Sequence, residues 1–179
     1  MSTVETLYKN KWIEVLEKTT DVNGKYVYTH SGWNNGVGVA LVPYKIENNE
    51  MKILGRYEIC PAHSDEVELC SITGGWDNME THSIVECAVG ELKEEGGYLA
   101  KPTDLMSLGV VKASKSSDTD IYLFAVDITH AEACEAVSDG TLGEIGAYCD
   151  WIEAKQAMFC KDPLLGTMMM RLVYELYLK

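Results

Sequence analysis

The sequence predicts a single α/β domain spanning all 179 residues. Three observations point to it. Strand-like apolar runs bounded by turn residues fill the first half of the chain, a helix with a complete capping signal sits at its middle, and an amphipathic helix lies at its end. No internal repeat, low-complexity segment or long linker separates them.

Residues 12–17 and 25–28 flank the turn Asp21-Val22-Asn23-Gly24 and read as an antiparallel pair, an N-terminal strand pair within residues 1–30. Residues 37–43 (VGVALVP) form a nearly continuous apolar run, the signature of a strand buried on both faces. After the polar turn at 47–50, residues 51–59 (MKILGRYEI) complete a second hairpin. Ser83, with Glu86 three residues on, makes a capping box ahead of Ile84, Cys87, Ala88 and Leu92 at helical spacing, and Gly96-Gly97 ends the pattern. A helix is therefore expected over 84–95. Residues 108–111, 121–126 and 147–152 supply further strands. Asp162 as N-cap, Pro163 in the first turn and the stripe Leu165, Met168, Met169, Leu172, Val173, Leu176 define a C-terminal helix that packs on a core.

Composition narrows the function classes. Fifteen basic and 28 acidic residues give a formal charge of −13, which argues against duplex nucleic acid and anionic membranes, whose binding needs Lys/Arg-rich faces. A hydrophobic share of 46% with 24% charged residues is that of a globular chain. The six cysteines show no C-x-x-C pair and read as reduced, mostly buried thiols. With no signal-peptide pattern and no apolar run of membrane-spanning length, the expected location is the cytoplasm.

Chemistry concentrates between Gly74 and Tyr98. Glu91, Glu94 and Glu95 stand at i, i+3 and i+4 and share one helix face. Acids at a helix C-terminus oppose its dipole, so three of them together need a reason. A hard divalent cation, Mg²⁺ or Mn²⁺, supplies one, because it takes oxygen ligands and bridges to phosphates.

These residues resemble the Nudix box, G-x5-E-x7-R-E-U-x-E-E-x-G-U, with U an aliphatic residue. Glu91, Leu92, Glu94, Glu95 and Gly97 fall on its E-U-x-E-E-x-G core, and Gly75 lies one residue from the opening glycine. The resemblance implies a Nudix-type α/β/α sandwich with a mixed β-sheet and a loop-helix-loop catalytic motif. It also implies metal-assisted attack of water on the pyrophosphate of a nucleoside diphosphate linked to another group. Glu94 and Glu95 would be the main metal ligands, Glu91 a ligand or the residue orienting the water, and the Gly75 carbonyl a further ligand.

The match has departures. The segment from Gly75 to Glu91 is one residue too long, so either Glu80 or His82 fills the first glutamate position, and Gly90 replaces the arginine that pairs with the carboxylates in the family. Lys93, another arginine or the metals would then have to compensate. Glycine inside a helix costs about 1 kcal/mol relative to alanine. Tyr98 takes the last aliphatic position.

Outside the box, Asp118, Asp120 and Glu144 are candidates for a catalytic base. Arg56, Lys112 and Lys115, with Ser114, Ser116 and Ser117, are candidate phosphate or ribose contacts, and Trp33 and Trp76 are candidates for stacking on a base. The N-terminal strand pair is similar to that of ADP-ribose pyrophosphatases, where such strands build a dimer. ADP-ribose or a nucleoside diphosphate sugar is therefore the favoured substrate, and a homodimer the expected assembly. The alternatives are a nucleoside triphosphate pyrophosphohydrolase and a Nudix-fold module that binds a nucleotide without cleaving it.

Overall fold

A computed structural model describes residues 2–22, 24–77, 79–137 and 145–179. Strands β1 (Thr3–Lys9), β2 (Ile13–Thr20) and β3 (Gly24–Ser31) form an antiparallel sheet of their own, in the order β1-β2-β3. The β2–β3 hairpin is the pair that the turn residues predict. β1 extends it to three strands; its residues are all exposed, so no apolar alternation marks it in the sequence.

The main sheet is organised around β4 (Val37–Glu47). Its apolar run divides by the two-residue strand period: Val39 and Leu41 pack on one side, Ala40, Val42 and Tyr44 on the other. β5 (Glu50–Ile59) pairs antiparallel with β4, and the short strands β6 (Val67–Cys70) and β7 (Ile72–Gly75) pair with β5 and β4. Helix α1 (Ile84–Glu91) follows, then β8 (Leu105–Lys112), β9 (Asp120–Asp127) and β10 (Tyr148–Glu153). The strand order is β10-β5-β4-β9-β8, with β4 and β9 parallel and the remaining neighbours antiparallel. The sheet is therefore mixed.

Helices cover both faces. Helix α2 (Ala154–Met158) and α3 (Pro163–Val173) bury Ala157, Leu165, Met168, Met169 and Leu172 against Ala40, Val42, Ile53 and Leu123. The three-methionine run is thus split by helical geometry, with Met168 and Met169 in the core and Met170 exposed. Ala88 of α1 and Leu92 pack on the opposite face against Val39, Leu41, Ile72 and Phe124. This is the α/β/α arrangement, and it fixes α1 beside the ends of β4 and β7. Among the described residues, no helix is long and apolar enough to cross a membrane.

The Ser-rich loop between β8 and β9 joins the small sheet to the main body. Thr29 N–H donates to the Ser116 carbonyl at 2.8 Å, Tyr26 Oη to the Lys115 carbonyl at 2.8 Å, and His30 Nδ1 meets Asp118 Oδ2 at 3.0 Å.

Candidate functional site

The box helix begins where its capping residues dictate. Ser83 N–H donates to Glu86 Oε2 at 2.7 Å, and Glu86 N–H donates back to Ser83 Oγ at 3.3 Å, satisfying two of the donors that a helix start leaves open. After Glu91 the helix widens into a π turn over Leu92–Gly96, and Gly97 closes it at φ 69°. A side chain at Gly97 would put its Cβ 3.0 Å from the Cys134 carbonyl. Both the handedness and the space there require glycine.

Glu95 turns inward from this π turn. Its Oε1 lies 3.2 Å from Arg56 Nη2 and its Oε2 accepts from Thr73 N–H at 3.3 Å. The two side chains are only 9% and 5% exposed. Arg56 Nε also donates to Glu58 Oε2 at 2.9 Å. Burial alone would lower the guanidinium's pKa, but the charges of Glu95 and Glu58 outweigh it and the net shift is upward. The structure places Arg56, a candidate phosphate contact, beneath the box as a cation paired with Glu95. Gly90 has no side chain to supply such a charge, and the cation beside Glu95 is Arg56 of β5. Lys93 is exposed and does not fill this role.

Gly74 and Gly75 shape the other wall. The Glu91 carboxyl lies directly over Gly74, where an added Cβ would meet Oε1 at 1.8 Å and Cγ at 2.5 Å. At Gly75 an added Cβ would fall 1.9 Å from Cη2 of Trp33, so the indole rests on the glycine backbone. The Gly75 carbonyl accepts a weak bond from the Cys87 thiol at 3.7 Å.

These walls enclose a groove of about 820 Å³ whose lining includes Gly75, Trp76, Glu91, Glu94 and Glu95. Asp77, His82, Glu86 and Cys87 also line it. Cys87 lies four residues before Glu91, on the same helix face; helical spacing marks the position, but its apolar character reads as core. No lysine or arginine is among the lining residues. The acidity is felt locally: burial and the nearby Glu91, Asp77 and Glu94 push the Cys87 thiol up to about 12.

The residues expected to hold a metal, Gly75, Glu91, Glu94 and Glu95, all line this one groove. Among the described residues, no group of three or more Asp, Glu, His or Cys side chains is gathered to hold a metal ion. The reason is local, since Arg56 and Thr73 engage Glu95 while Glu91 lies over Gly74. The donor chemistry itself suits a hard divalent cation, with carboxylates and a backbone carbonyl around a groove whose lining contains no lysine or arginine.

Comparison with known proteins bears on the fold. No family model matches the sequence, and no curated protein matches it significantly. Among solved structures, an ADP compounds hydrolase superposes with a TM-score of 0.67 at 19% identity, covering 97% of this chain and 91% of that one. The Nudix domain of Shewanella oneidensis NrtR, complexed with ADP ribose, gives 0.56 at 13% identity over 78% and 87%. The fold is that of a Nudix domain. The segment with the box resemblance thus sits in a Nudix fold as loop, helix and loop.

Within this Nudix frame the remaining candidates separate. His82 lines the groove, with its carbonyl accepting from Trp76 Nε1 at 2.8 Å, whereas Glu80 lines a neighbouring cavity. Asp118 is held by His30 and Asp120 by Lys112 at 2.7 Å, and neither lines the groove. Glu144 lies outside the described residues. Lys115 and its serine neighbours lie beside the small sheet, where the Lys115 and Ser116 carbonyls accept from Tyr26 and Thr29 of β3.

Two stability effects follow from this geometry. A Cβ at Gly90 would meet nothing within 4 Å, so Gly90→Ala should raise stability by about 0.5–1 kcal/mol through helix propensity alone. A rise in the thermal midpoint is the check. The second is alkaline. Burial raises the thiol pKa of Cys70, of Cys149 to about 11 and of Cys87 to about 12. Above the ordinary thiol pKa the unfolded chain loses these protons while the folded chain keeps them, so stability present at neutral pH must fall as pH rises. The urea midpoint should be flat to about pH 8 and decline towards about pH 11. Cys87→Ala should make that decline shallower.

Proposed function

We propose that this chain is a divalent-metal-dependent pyrophosphohydrolase acting on a nucleoside diphosphate linked to a second group, with ADP-ribose or a nucleoside diphosphate sugar as substrate. The observation that carries this reading is the groove in which Glu91, Glu94, Glu95 and the Gly75 backbone meet on a Nudix fold. The ADP compounds hydrolase and the ADP-ribose complex among its structural neighbours support the substrate class.

Glu91, Glu94 and Glu95, with the Gly75 carbonyl, would hold Mg²⁺ or Mn²⁺. The ion, when bound, neutralises phosphate charge and acidifies water. The chain's own residues do the rest. Glu91, fixed over Gly74, orients water for in-line attack on phosphorus and takes up its proton. Arg56 holds Glu95 in place from below, and Trp33 and Trp76 wall the groove beside the reacting pyrophosphate. A polyanionic substrate in so acidic a groove requires the cation, so removal of metal should abolish both binding and turnover.

A second reading, a module that binds a nucleotide without cleaving it, is favoured by one observation: Glu95 is committed to Arg56 and Thr73. Hydrolysis of a panel of nucleoside diphosphate compounds with Mg²⁺, and again with a chelator, separates the two. Metal-dependent release of two monophosphates supports the enzyme, and retained binding without turnover of any panel member refutes it.

The N-terminal sheet carries exposed Val4, Leu7, Tyr8, Tyr26 and Val27, and apolar side chains on an open sheet are a surface for a partner. This supports a homodimer formed through it. Light scattering should give twice the 19.9 kDa chain mass, and Leu7→Glu with Val27→Glu should reduce it to one. A wild-type monomer at micromolar concentration would exclude the dimer.

A further inference from the structure

Glu58 stands outside the box groove, yet it shares the cation that lies beneath the box. It lines a different cavity, of about 170 Å³ beside the start of α3, and is not among the residues lining the groove. A carboxylate so placed can act on the groove only through the group it bonds. That group is Arg56, two residues earlier on β5 and on the same face of the strand.

The guanidinium is held between two carboxylates. Its Nε donates to Glu58 Oε2 at 2.9 Å, and its Nη2 lies 3.2 Å from Glu95 Oε1. It has little room to choose between them, being buried on a strand flanked by Cys149 of β10 and Cys70 of β6. One positive charge therefore meets two negative ones, and the cluster keeps a net negative charge. Without Glu58 the same guanidinium would face Glu95 alone, as a neutral pair. A carboxylate in a neutral pair attracts a divalent cation less than one whose charge is only partly met, because the arginine repels the incoming ion across a short, poorly screened distance.

Arg56 is the one basic side chain that pairs with Glu58 among the described residues. Glu68, directly opposite on β6, carries the same charge but has its own donors: Lys161 at 3.2 Å, Ser64 Oγ at 3.2 Å and His63 Nδ1 at 3.1 Å. The two glutamates are cross-strand neighbours that differ in whether Arg56 bonds them. This difference lets the effect of a charge passed through Arg56 be told from that of a charge merely nearby.

We propose that Glu58 is a positioning residue that sets the divalent-cation affinity of the box: by holding Arg56 and offsetting its charge, it keeps Glu95 available as a ligand. The proposal rests on the metal-dependent reading above, and its test keeps the two apart. Mn²⁺ is titrated into the nucleotide-free, full-length protein and the free ion is followed by electron paramagnetic resonance. Glu58→Gln should weaken Mn²⁺ binding by about five- to tenfold, the effect of leaving one opposing unit charge uncompensated near the ion. Its amide oxygen can still accept from Arg56 Nε, so the thermal midpoint should stay within about 2–4 °C of wild type. Glu68→Gln should leave Mn²⁺ affinity within about twofold. With ADP-ribose as substrate, Glu58→Gln should raise the Mg²⁺ concentration for half-maximal rate by the same factor as the Mn²⁺ dissociation constant, and kcat at saturating Mg²⁺ should hold within about twofold. Wild-type Mn²⁺ affinity in Glu58→Gln overturns the proposal and leaves the metal-dependent reading standing. So does an equal loss in Glu68→Gln, which would make the effect one of nearby charge alone. Failure of the wild-type protein to bind Mn²⁺ overturns both. Should Glu58→Gln not fold, Glu58→Asp, which draws the carboxylate back from Arg56, decides in its place: a loss of about twofold or more is expected, and unchanged affinity overturns the proposal.

Discussion

Arg56→Ala is expected to lower the stability of the fold by about 3–5 kcal/mol, the cost of removing one partner of a buried ion pair. Glu95 is nearly as buried as Arg56 and would keep Thr73 N–H but lose the guanidinium, while Glu58 would lose its bond from Nε. A charged carboxylate in that position must then take up a proton or pull the π turn outwards. Urea unfolding gives the magnitude. Arg56→Lys should recover only part of it, because an ammonium cannot bond both glutamates in the forked geometry that the guanidinium uses. If Arg56→Ala cost less than about 1 kcal/mol, the pair would be a solvent-screened contact of the kind that contributes little.

Glu94→Gln should do the reverse, leaving stability intact and removing activity. Glu94 is exposed on the π turn, and it lines the groove beside Glu91 and Glu95. Loss of one carboxylate from a site that must offset phosphate charge should reduce kcat by about 10²–10³-fold. The thermal midpoint should stay within about 1–2 °C of wild type, as for most surface substitutions. Steady-state kinetics on ADP-ribose together with a thermal melt provide both readouts. Comparing the two variants separates what holds the site together from what acts in it.

Much of this arrangement was legible in the chain. The Ser83–Glu86 box marks the start of α1 because capping is local chemistry, and Asp162 followed by Pro163 marks the start of α3 for the same reason. The apolar run of β4 was readable because a strand buried on both faces has no polar alternation. The four-residue strands β6 and β7 were not, being too short to show a period. The glutamates of the box were identifiable, but their partners were not. Arg56 reaches Glu95 only because β5 runs beneath the π turn, and Trp33 reaches Gly75 only because β4 pairs with β7. Such pairings join residues far apart in sequence through the sheet, and no local pattern reports them. The docking of the Lys115 and Ser116 carbonyls on the N-terminal sheet was not legible for the same reason.

The most direct test of the central claim, that the box groove cleaves a pyrophosphate using bound cation, is product analysis of ADP-ribose incubated with the wild-type protein in ¹⁸O-labelled water. With Mg²⁺ the account predicts AMP and ribose 5-phosphate, one of them carrying a single ¹⁸O from attack at phosphorus, and no products once the metal is chelated. Turnover that persists undiminished in chelator, or ¹⁸O found on the sugar carbon rather than on phosphate, would contradict it.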